Sequence, residues 1–324
     1  AKSIENIKNV QFAVFSFDEA LELRNAKIKN EILVFSKLQK SNIELAFEKD
    51  IILNISSFDD IEHIELFYSK NKVSPRCHLK FDTGMTRLGF DLDDAEAIYE
   101  NLNKSLYPYI EGVYTHFATA DEGDLSYAEK QLNDFRMVIE KIKNLGLIFK
   151  FIHCTNSGAV LNLKSSYFNM VRVGMLLYGA MPSNEVSDNI GVKPVMSFCG
   201  SIVNVRKVKK DTPVSYGGVY KTASDTNIAV IQTGFADGFP RPWYETGYVI
   251  YNGKKFKIAG RVCMDQLMID FGNVVPDLGE DVLFFGENQI GHLPVEIIAD
   301  KINSTPYVLF TAIGGRTKLI YIDE

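Results

Sequence analysis

Several common sequence features are missing from this 324-residue chain, and each absence removes a class of protein. No hydrophobic run approaches the roughly 18 residues that a membrane-spanning helix needs. The formal net charge is −6, so nucleic acid and anionic membranes are disfavoured as partners. The four cysteines form no CxxC pair. This argues against a structural zinc site or a disulfide framework and fits a reducing, cytoplasmic location.

No GxGxxG turn follows any strand, which argues against an open dinucleotide-binding sheet. Up to about residue 180, short apolar strands instead alternate with helical patterns. The predicted strands are 11–16, 31–36, 51–56, 76–81, 110–118, 149–154 and 169–175. Such βα repetition predicts a parallel sheet in an α/β fold. Its length favours a (β/α)₈ TIM-type barrel in which seven of the eight strands are visible.

The start of the chain is unusual. There is no initiator Met, and Ile4, Ile7 and Val10 have the spacing of a short amphipathic helix. A helix before the first strand, together with a count of seven strands, indicates that the first barrel strand is missing. We therefore expect residues 1–190 to form a (β/α) barrel that is incomplete at its N-terminus.

The pattern changes beyond about residue 190. Short, often alternating strands are separated there by turn sequences such as NGK and LGED. They predict a C-terminal all-β domain over residues 191–324, with one late helix in LPVEIIADKI. The segment 181–194 is the predicted linker.

Polar side chains follow four of the predicted barrel strands, at the end where active sites of such barrels lie. In chain order they are Lys80, Asp82, Arg87, His116, His153, Asn156, Ser157 and Arg172, followed by Gly174 and the backbone of Met175. A lone strand-end histidine is more often structural, but two histidines with a lysine and two arginines are harder to dismiss. The stretch NSGA followed by RVGM offers hydroxyl and backbone N–H groups suited to a phosphate.

Other candidates have weaker support. His63, His78 and His292 have no comparable neighbours in the pattern and are assigned structural roles. In the β domain, the stretches SYGGVY, GFADGFPR and GRVCMDQ could be simple turns, because glycine favours tight turns. Their side chains Tyr216, Arg241 and Arg261 are nevertheless unusual residues to place in turns without a function.

Two enzyme classes compete for these residues. A barrel metallohydrolase would use carbamylated Lys80, His116 and His153 as metal ligands. Against it, Arg172 occupies the last strand, and a guanidinium beside a divalent metal is unfavourable. A pyridoxal-phosphate barrel accounts for the anion site, the stacking histidine and the buried arginine together. A non-catalytic barrel would not need Tyr216 and Met264 from the β domain, so the pyridoxal-phosphate enzyme is favoured.

At these residues the sequence resembles the alanine racemases, which are fold-type III pyridoxal-phosphate enzymes. The motifs that carry the resemblance occur in the family's order: FDTGMTRLGF, THFATADE, HCTNSGA, RVGMLLYG, VSYGGVY, GFADGFPR and GRVCMDQ. The resemblance implies an isomerase that interconverts L- and D-alanine for peptidoglycan in the bacterial cell wall, with pyridoxal 5′-phosphate and no metal. It also implies a cytoplasmic homodimer with shared active sites and no nucleic-acid or membrane partner. A racemase of serine or of a broader amino-acid range stays open.

The resemblance also assigns catalytic roles. Tyr216, supplied by the partner subunit, is the expected base on the L-alanine face, and His116 is expected to pack on the cofactor ring. Arg172 is expected to face the pyridine nitrogen. Because arginine keeps its proton, that nitrogen stays unprotonated, which restrains transamination.

Binding roles follow in the same way. Arg87 and Met264, with Asp265 beside it, are expected to bind the substrate carboxylate, and such a charge-assisted pair orients the reacting bond. Lys80 matches the family's carbamylated lysine, which supports Arg87. The remaining cofactor-binding residues implied by the resemblance are Asn156, Ser157, Gly174, Met175 and Tyr307.

One motif of the family is absent. No AYGHG-like segment occurs in the chain, so the aldimine lysine, which is the second catalytic base, is not present, nor is a phosphate-binding tyrosine. The intact Tyr216, Arg87 and Arg172 favour a fragment of a complete racemase over a degenerate relative. The chain by itself is therefore expected to be inactive. Phe235 and Val308 depart from the residues usual in the family, which concerns substrate selectivity.

Overall fold

The computed structural model describes residues 1–102, 104–186 and 190–322. The chain divides into two compact units, Ala1–Val173 and Gly174–Glu324, and each is described here by itself. The boundary expected at 190/191 stays a prediction. Part of the predicted linker, residues 187–189, lies outside the described residues.

The first unit is a curled parallel sheet in which a helix follows each strand. Its elements are β1 (Phe12–Val14), α1 (Phe17–Asn25), β2 (Ile32–Val34), α2 (Ile43–Glu48), β3 (Ile51–Ile55), α3 (Phe58–Asn71), β4 (Cys77–Lys80), α4 (Ala95–Asn101), β5 (Ile110–Tyr114), α5 (Ser126–Leu145), β6 (Phe151–His153) and α6 (Ser157–Asn162). The strands pair in the order β1-β2-β3-β4-β5-β6. The predicted fold class, a TIM-type barrel domain followed by a β domain, is confirmed.

The helices of this unit begin and end where the sequence supplies capping residues. Ser16 and Glu19 form a capping box at the start of α1, and Ser57 caps α3 by accepting the N–H of Asp60. Helix α5 ends at Gly146, whose φ of 104° is open to glycine at little cost. Local capping interactions therefore set where the helices between the strands begin and end.

Two elements predicted for this unit are wrong. Residues 169–175 form no strand. The Asn169 side chain bonds the N–H of Ile152 and the carbonyl of Lys150, and so replaces backbone pairing beside β6. Residues 4–10 form successive turns instead of a helix, and the segment ends at Asn9 with a φ of 64°, outside the right-handed helical region.

The second unit is antiparallel. Its elements are β7 (Phe198–Val208), β8 (Pro213–Val214), β9 (Tyr220–Lys221), β10 (Thr226–Ile231), β11 (Tyr248–Tyr251), β12 (Lys254–Ile258), β13 (Leu267–Asp270), β14 (Asp281–Asn288), β15 (Gly291–Leu293), α7 (Val295–Lys301) and α8 (Pro306–Ala312). The large sheet has the order β11-β12-β13-β10-β7-β14-β15, and a pairing between β11 and β14 joins six of these strands into a ring. Strand β15 and helix α8 were not predicted. Across the described ranges, no helix has both the length and the apolarity to cross a membrane.

Aromatic side chains fill the core of the second unit. Phe284 is only 1% exposed, and its ring centroid lies 5.0 Å from that of Phe198 and 4.9 Å from that of Phe239. Trp243, the single tryptophan of the chain, belongs to the same buried cluster. Its fluorescence therefore reports on the folding of this unit.

We expect Phe284→Ala to lower the free energy of unfolding of this unit by about 3–5 kcal/mol, because a large side chain leaves a cavity in a close-packed core. Urea unfolding followed by Trp243 fluorescence measures the change. The control is Val275→Ala, since Val275 is 70% exposed and its truncation should change stability by less than about 0.5 kcal/mol. Equal effects of the two substitutions would contradict the packing described here.

Candidate active site

The strand ends of the first unit bring together four of the residues singled out in the sequence. Strand β4 ends at Lys80, β6 ends at His153, and His116 follows two residues after the end of β5. Arg172 reaches this group from the segment beside β6, where its N–H donates to the carbonyl of Thr155. Because parallel strands present their carboxyl ends at one edge, residues distant in the chain converge here.

Arg172 is the centre of this group. Its guanidinium donates to Nδ1 of His153 at 2.7 Å and to Nδ1 of His116 at 3.2 Å. It also donates to the carbonyl oxygens of Thr115 and Cys154, at 2.8 and 3.3 Å. All four acceptors are neutral, so these bonds hold the guanidinium in place without cancelling its charge.

Both histidines that accept from Arg172 are held neutral. Burial first, and then the charges of Arg172 and Arg87, lower the pKa of His116 to about 3. Burial and Arg172 likewise place the pKa of His153 well below its ordinary value. Protonation would place a second cation against the guanidinium, so both rings serve as hydrogen-bond acceptors at neutral pH.

Lys80 is also buried beside positive charge. Burial is the main cause, and the charges of Arg87 and Arg172 add to it, so that the pKa of Lys80 falls to about 8 despite the opposing charge of Asp82. A substantial fraction of its amine is therefore neutral near pH 8. A neutral amine is nucleophilic, whereas an ammonium ion is not.

The Asp82 carboxylate does not neutralise this charge by pairing with a basic side chain of the group. It accepts the backbone N–H groups of Gly84, Thr86 and Arg87 at 2.9, 2.9 and 2.7 Å. Burial opposes ionisation of Asp82, but these bonds outweigh it and lower its pKa. The carboxylate thus orders the loop that carries Arg87, whose side chain is exposed.

Gly89 closes that loop. Its φ is 137°, and a Cβ there would lie 2.5 Å from the backbone nitrogen of Asp82, so the position requires glycine. The backbone of Phe90 pairs with Lys80 and Asp82 on the other side of the loop. The motif DTGMTRLG therefore forms a compact loop that holds Arg87 near the end of β4.

The remaining predicted cofactor residues are placed as follows. Asn156 caps α6 by accepting the N–H of Ala159 at 3.0 Å, and Ser157 is buried in the first turn of that helix. Gly174 and Met175 belong to the second unit, where Met175 is buried at the start of a 3-10 turn. Tyr307 lies at the start of α8 in the same unit and is half exposed.

Tyr216 stands on a tight turn of the second unit and is 68% exposed. Gly217 and Gly218 in that turn have φ values of 73° and 56°. The Ser215 hydroxyl donates to the carbonyl of Arg261 and anchors the turn. The side chain of Tyr216 is thereby exposed on an anchored turn.

Met264 and Asp265 lie on a second loop of this unit. The carbonyl of Met264 accepts the N–H of Ala236, and Arg316 donates to the carboxylates of Asp265 and Asp237, each at 2.7 Å. Arg316 therefore ties the loop that carries Met264 to the loop that contains the GFADG motif. Sequence reasoning did not find Arg316, because its two acidic partners are 51 and 79 residues away.

His78 is the main difference from the sequence analysis. It was assigned a structural role for lack of neighbours, but its Nδ1 lies 2.9 Å from Nε2 of His153. A signal existed, since His78 precedes Lys80 by two residues on one strand and the two side chains therefore share a face. Tyr114 was also missed, and its ring stacks on His153 at 4.8 Å and 7°.

The hydrogen bonds of His153 bear on the metallohydrolase alternative. One ring nitrogen accepts from Arg172 and the other pairs with His78, so neither is available to a metal ion. In the part of the chain that the structure describes, no group of three or more His, Cys, Asp or Glu is arranged to hold one.

Comparison with known proteins agrees with this arrangement. The family models for the alanine racemase N-terminal domain and C-terminal domain match residues 2–182 and 195–321. The alanine racemase of Desulforamulus reducens is 36% identical over 315 residues, which cover 96% of this chain and 84% of that protein. The alanine racemase of Halothermothrix orenii is 34% identical over 323 residues, or 99% of this chain and 85% of that protein.

Solved structures of alanine racemases also match this chain. The alanine racemase of Clostridium difficile 630 matches with a TM-score of 0.86 and 31% identity over 98% of this chain and 82% of that chain. The alanine racemase of Bacillus anthracis with bound L-Ala-P matches with a TM-score of 0.82 and 34% identity over 94% of this chain and 79% of that chain. Fold and matched domains define the protein as a two-domain amino-acid isomerase. The chain belongs to the alanine racemase family.

The lowered pKa of Lys80 leads to a prediction about its carbamylation. The neutral amine bonds the carbon of CO₂ and releases a proton to solvent, so the carbamate should increase from about pH 7 to about pH 9 as the neutral fraction grows. NMR with isotope-labelled bicarbonate detects it. Lys80→Met should remove the signal. Lys37→Met should keep it, because the ammonium of Lys37 is paired with Asp60 at 2.6 Å. A signal unaffected by Lys80→Met would disprove the assignment.

Proposed function

We propose that the complete gene product containing this chain interconverts L-alanine and D-alanine by a two-base mechanism. It acts as a cytoplasmic homodimer with shared active sites and supplies D-alanine for peptidoglycan. Family membership supports the reaction. The observation that carries the proposal is the Arg172 guanidinium, which is bonded only to neutral acceptors and stands among the basic residues of the strand ends.

Pyridoxal 5′-phosphate is the cofactor of this family. The donor set fits it, because the guanidinium groups of Arg87 and Arg172 make the strand ends electropositive, while the Asp82 carboxylate is held by backbone N–H groups. A phosphate and a substrate carboxylate are both attracted by such a site. When bound, the cofactor supplies the electron sink that acidifies the α-proton of the amino acid.

The residues of the chain divide the work around that chemistry. Arg172 would face the ring nitrogen of the bound cofactor and leave it unprotonated, because a guanidinium does not give up its proton. His116 would pack on the cofactor ring as a neutral imidazole. Arg87 binds the substrate carboxylate and aligns one Cα–H bond, with Met264 and Asp265 of the partner subunit completing the pocket.

Proton transfer is assigned to two bases on opposite faces. Tyr216 of the partner subunit takes or returns the α-proton through its hydroxyl oxygen, and its exposed position on a glycine turn suits a group that acts outside its own unit. The second base is the lysine of the AYGHG-like segment, which these 324 residues do not contain. Asn156, Ser157, Gly174, Met175 and Tyr307 are the proposed ligands of the cofactor and its phosphate.

Replacing Tyr216 tests the mechanism. In the complete gene product, Tyr216→Phe should lower kcat for L-alanine racemisation by about 10²–10⁴-fold, the usual effect of losing an acid–base group, while the cofactor absorbance is kept. Chiral chromatography of the two alanine enantiomers measures the rate. Tyr321→Phe is the control, because Tyr321 is 88% exposed and has no proposed role. Full activity of the Tyr216 variant would remove it as a base.

Three further measurements accompany this one. The isolated 324-residue chain should not racemise alanine, since one base is missing.

L-Serine is assayed beside L-alanine to test the substrate range, and equal kcat/KM values would replace the alanine-specific proposal by a broader one. Growth of a bacterium that requires D-alanine, restored by the complete gene, would support the role in peptidoglycan, and failure despite activity in vitro would count against it.

A further inference from the structure

A linear chain of hydrogen bonds runs inward from the active site of the first unit. Arg172 bonds Nδ1 of His153 at 2.7 Å, and Nε2 of His153 lies 2.9 Å from Nδ1 of His78. Both histidines are buried, with 0% and 1% of their surface exposed. Arg172 has a proposed catalytic role, whereas His78 has none so far.

The position of every proton in this chain follows from the arginine. A guanidinium only donates, so Nδ1 of His153 must accept and its proton must be on Nε2. That N–H then donates to Nδ1 of His78, whose own proton must be on Nε2. Burial above all, and then the charges of Arg76, Arg172 and Lys150, lower the pKa of His78 to about 3 and keep this ring neutral.

The inner end of the chain is closed. Nε2 of His78 is buried and has no hydrogen-bond partner among the residues that the structure describes. Its proton therefore has no acceptor there, and exchanging the tautomers of both rings would set an N–H of His153 against the donors of Arg172. The geometry permits one arrangement of protons, so the chain orients groups and does not conduct protons.

The packing is built around the His78 ring. Gly112 on β5 stands opposite His78, and a Cβ there would lie 2.6 Å from three ring atoms. Tyr114, two residues further on, stacks on His153 and sets the plane of that ring. Stacking leaves rotation within the plane open, and the hydrogen bond to His78 removes it.

We propose that His78 is a positioning residue for the racemase reaction: it accepts the Nε2–H of His153 and so aims Nδ1 of His153 at the Arg172 guanidinium. Arg172 is thereby held in the orientation that meets the cofactor ring nitrogen. The inference rests on the proposed function for its catalytic consequence, whereas the tautomers and the hydrogen bond concern the protein alone.

Two variants of similar size separate positioning from packing. His78→Leu removes the acceptor, whereas His78→Asn keeps a carbonyl oxygen close to the place of Nδ1. Their side chains have the same branched shape, and urea unfolding measures the stability of each variant, in which the unpaired amide N–H groups of Asn should cost more than the apolar Leu. In the complete gene product, His78→Leu should lower kcat for L-alanine by about tenfold or more, as is typical when a group that orients a functional histidine is removed. It should also shift the absorbance of the bound cofactor.

His78→Asn should restore most of kcat and the parent spectrum. Equal kcat values and spectra for the two variants would reduce His78 to a packing residue and overturn the proposal. KM for alanine should change little in either variant, because the Arg87 loop is built from Asp82 and Gly89 and does not include His78.

The tautomers are tested without activity. NMR of the chain with isotope-labelled histidine nitrogens has five residues to resolve. His153 and His78 should both appear as Nε2–H tautomers that do not titrate from about pH 5 to pH 8. An Nδ1–H tautomer of His153 would overturn the proposal even if neither variant folds. These tautomers in a protein that does not racemise alanine would instead refute the proposed function and leave the hydrogen-bond chain standing.

Discussion

The candidate site depends on one interaction, which is the binding of the Arg172 guanidinium by neutral hydrogen-bond acceptors. Moving a charge out of water is expensive unless each of its N–H groups is satisfied. Two imidazoles and two carbonyl oxygens from the ends of β5 and β6 accept from both terminal nitrogens of Arg172 and so offset part of that cost. Because all four acceptors are neutral, the guanidinium keeps its charge, and that charge shifts the pKa values of neighbouring groups.

The electrostatic consequences extend across the strand ends. The same charge helps to hold His116 and His153 neutral, and it contributes with Arg87 to the lowered pKa of Lys80. The carboxylate of Asp82, in the loop that carries Arg87, accepts hydrogen bonds from backbone N–H groups. The result is a candidate site with exposed or uncancelled guanidinium charge, neutral imidazoles and a lysine of lowered pKa, all of which suit pyridoxal-phosphate chemistry.

Local patterns predicted much of the architecture. Six apolar runs with turn signals at their ends became β1 to β6, since runs of this length with such boundaries satisfy their backbone by pairing in a sheet. The seventh run, predicted as a strand, is not one, because the Asn169 side chain makes the hydrogen bonds that a strand backbone would make there. Hydrophobic periodicity does not predict such a side-chain contact. Helix α8 was missed because TPYVLFTA is as apolar as a short strand.

The sequence by itself determined the family, the order of the strands and the residue types at the site. These depend on short motifs and on contacts between near neighbours, such as the carboxylate of Asp82 and the N–H groups of its own loop. Only the tertiary structure decided which nitrogen meets which donor. His78 and His153 are 75 residues apart, and Arg172 and Thr115 are 57 apart. The register between strands sets such distances, and no local spacing encodes it.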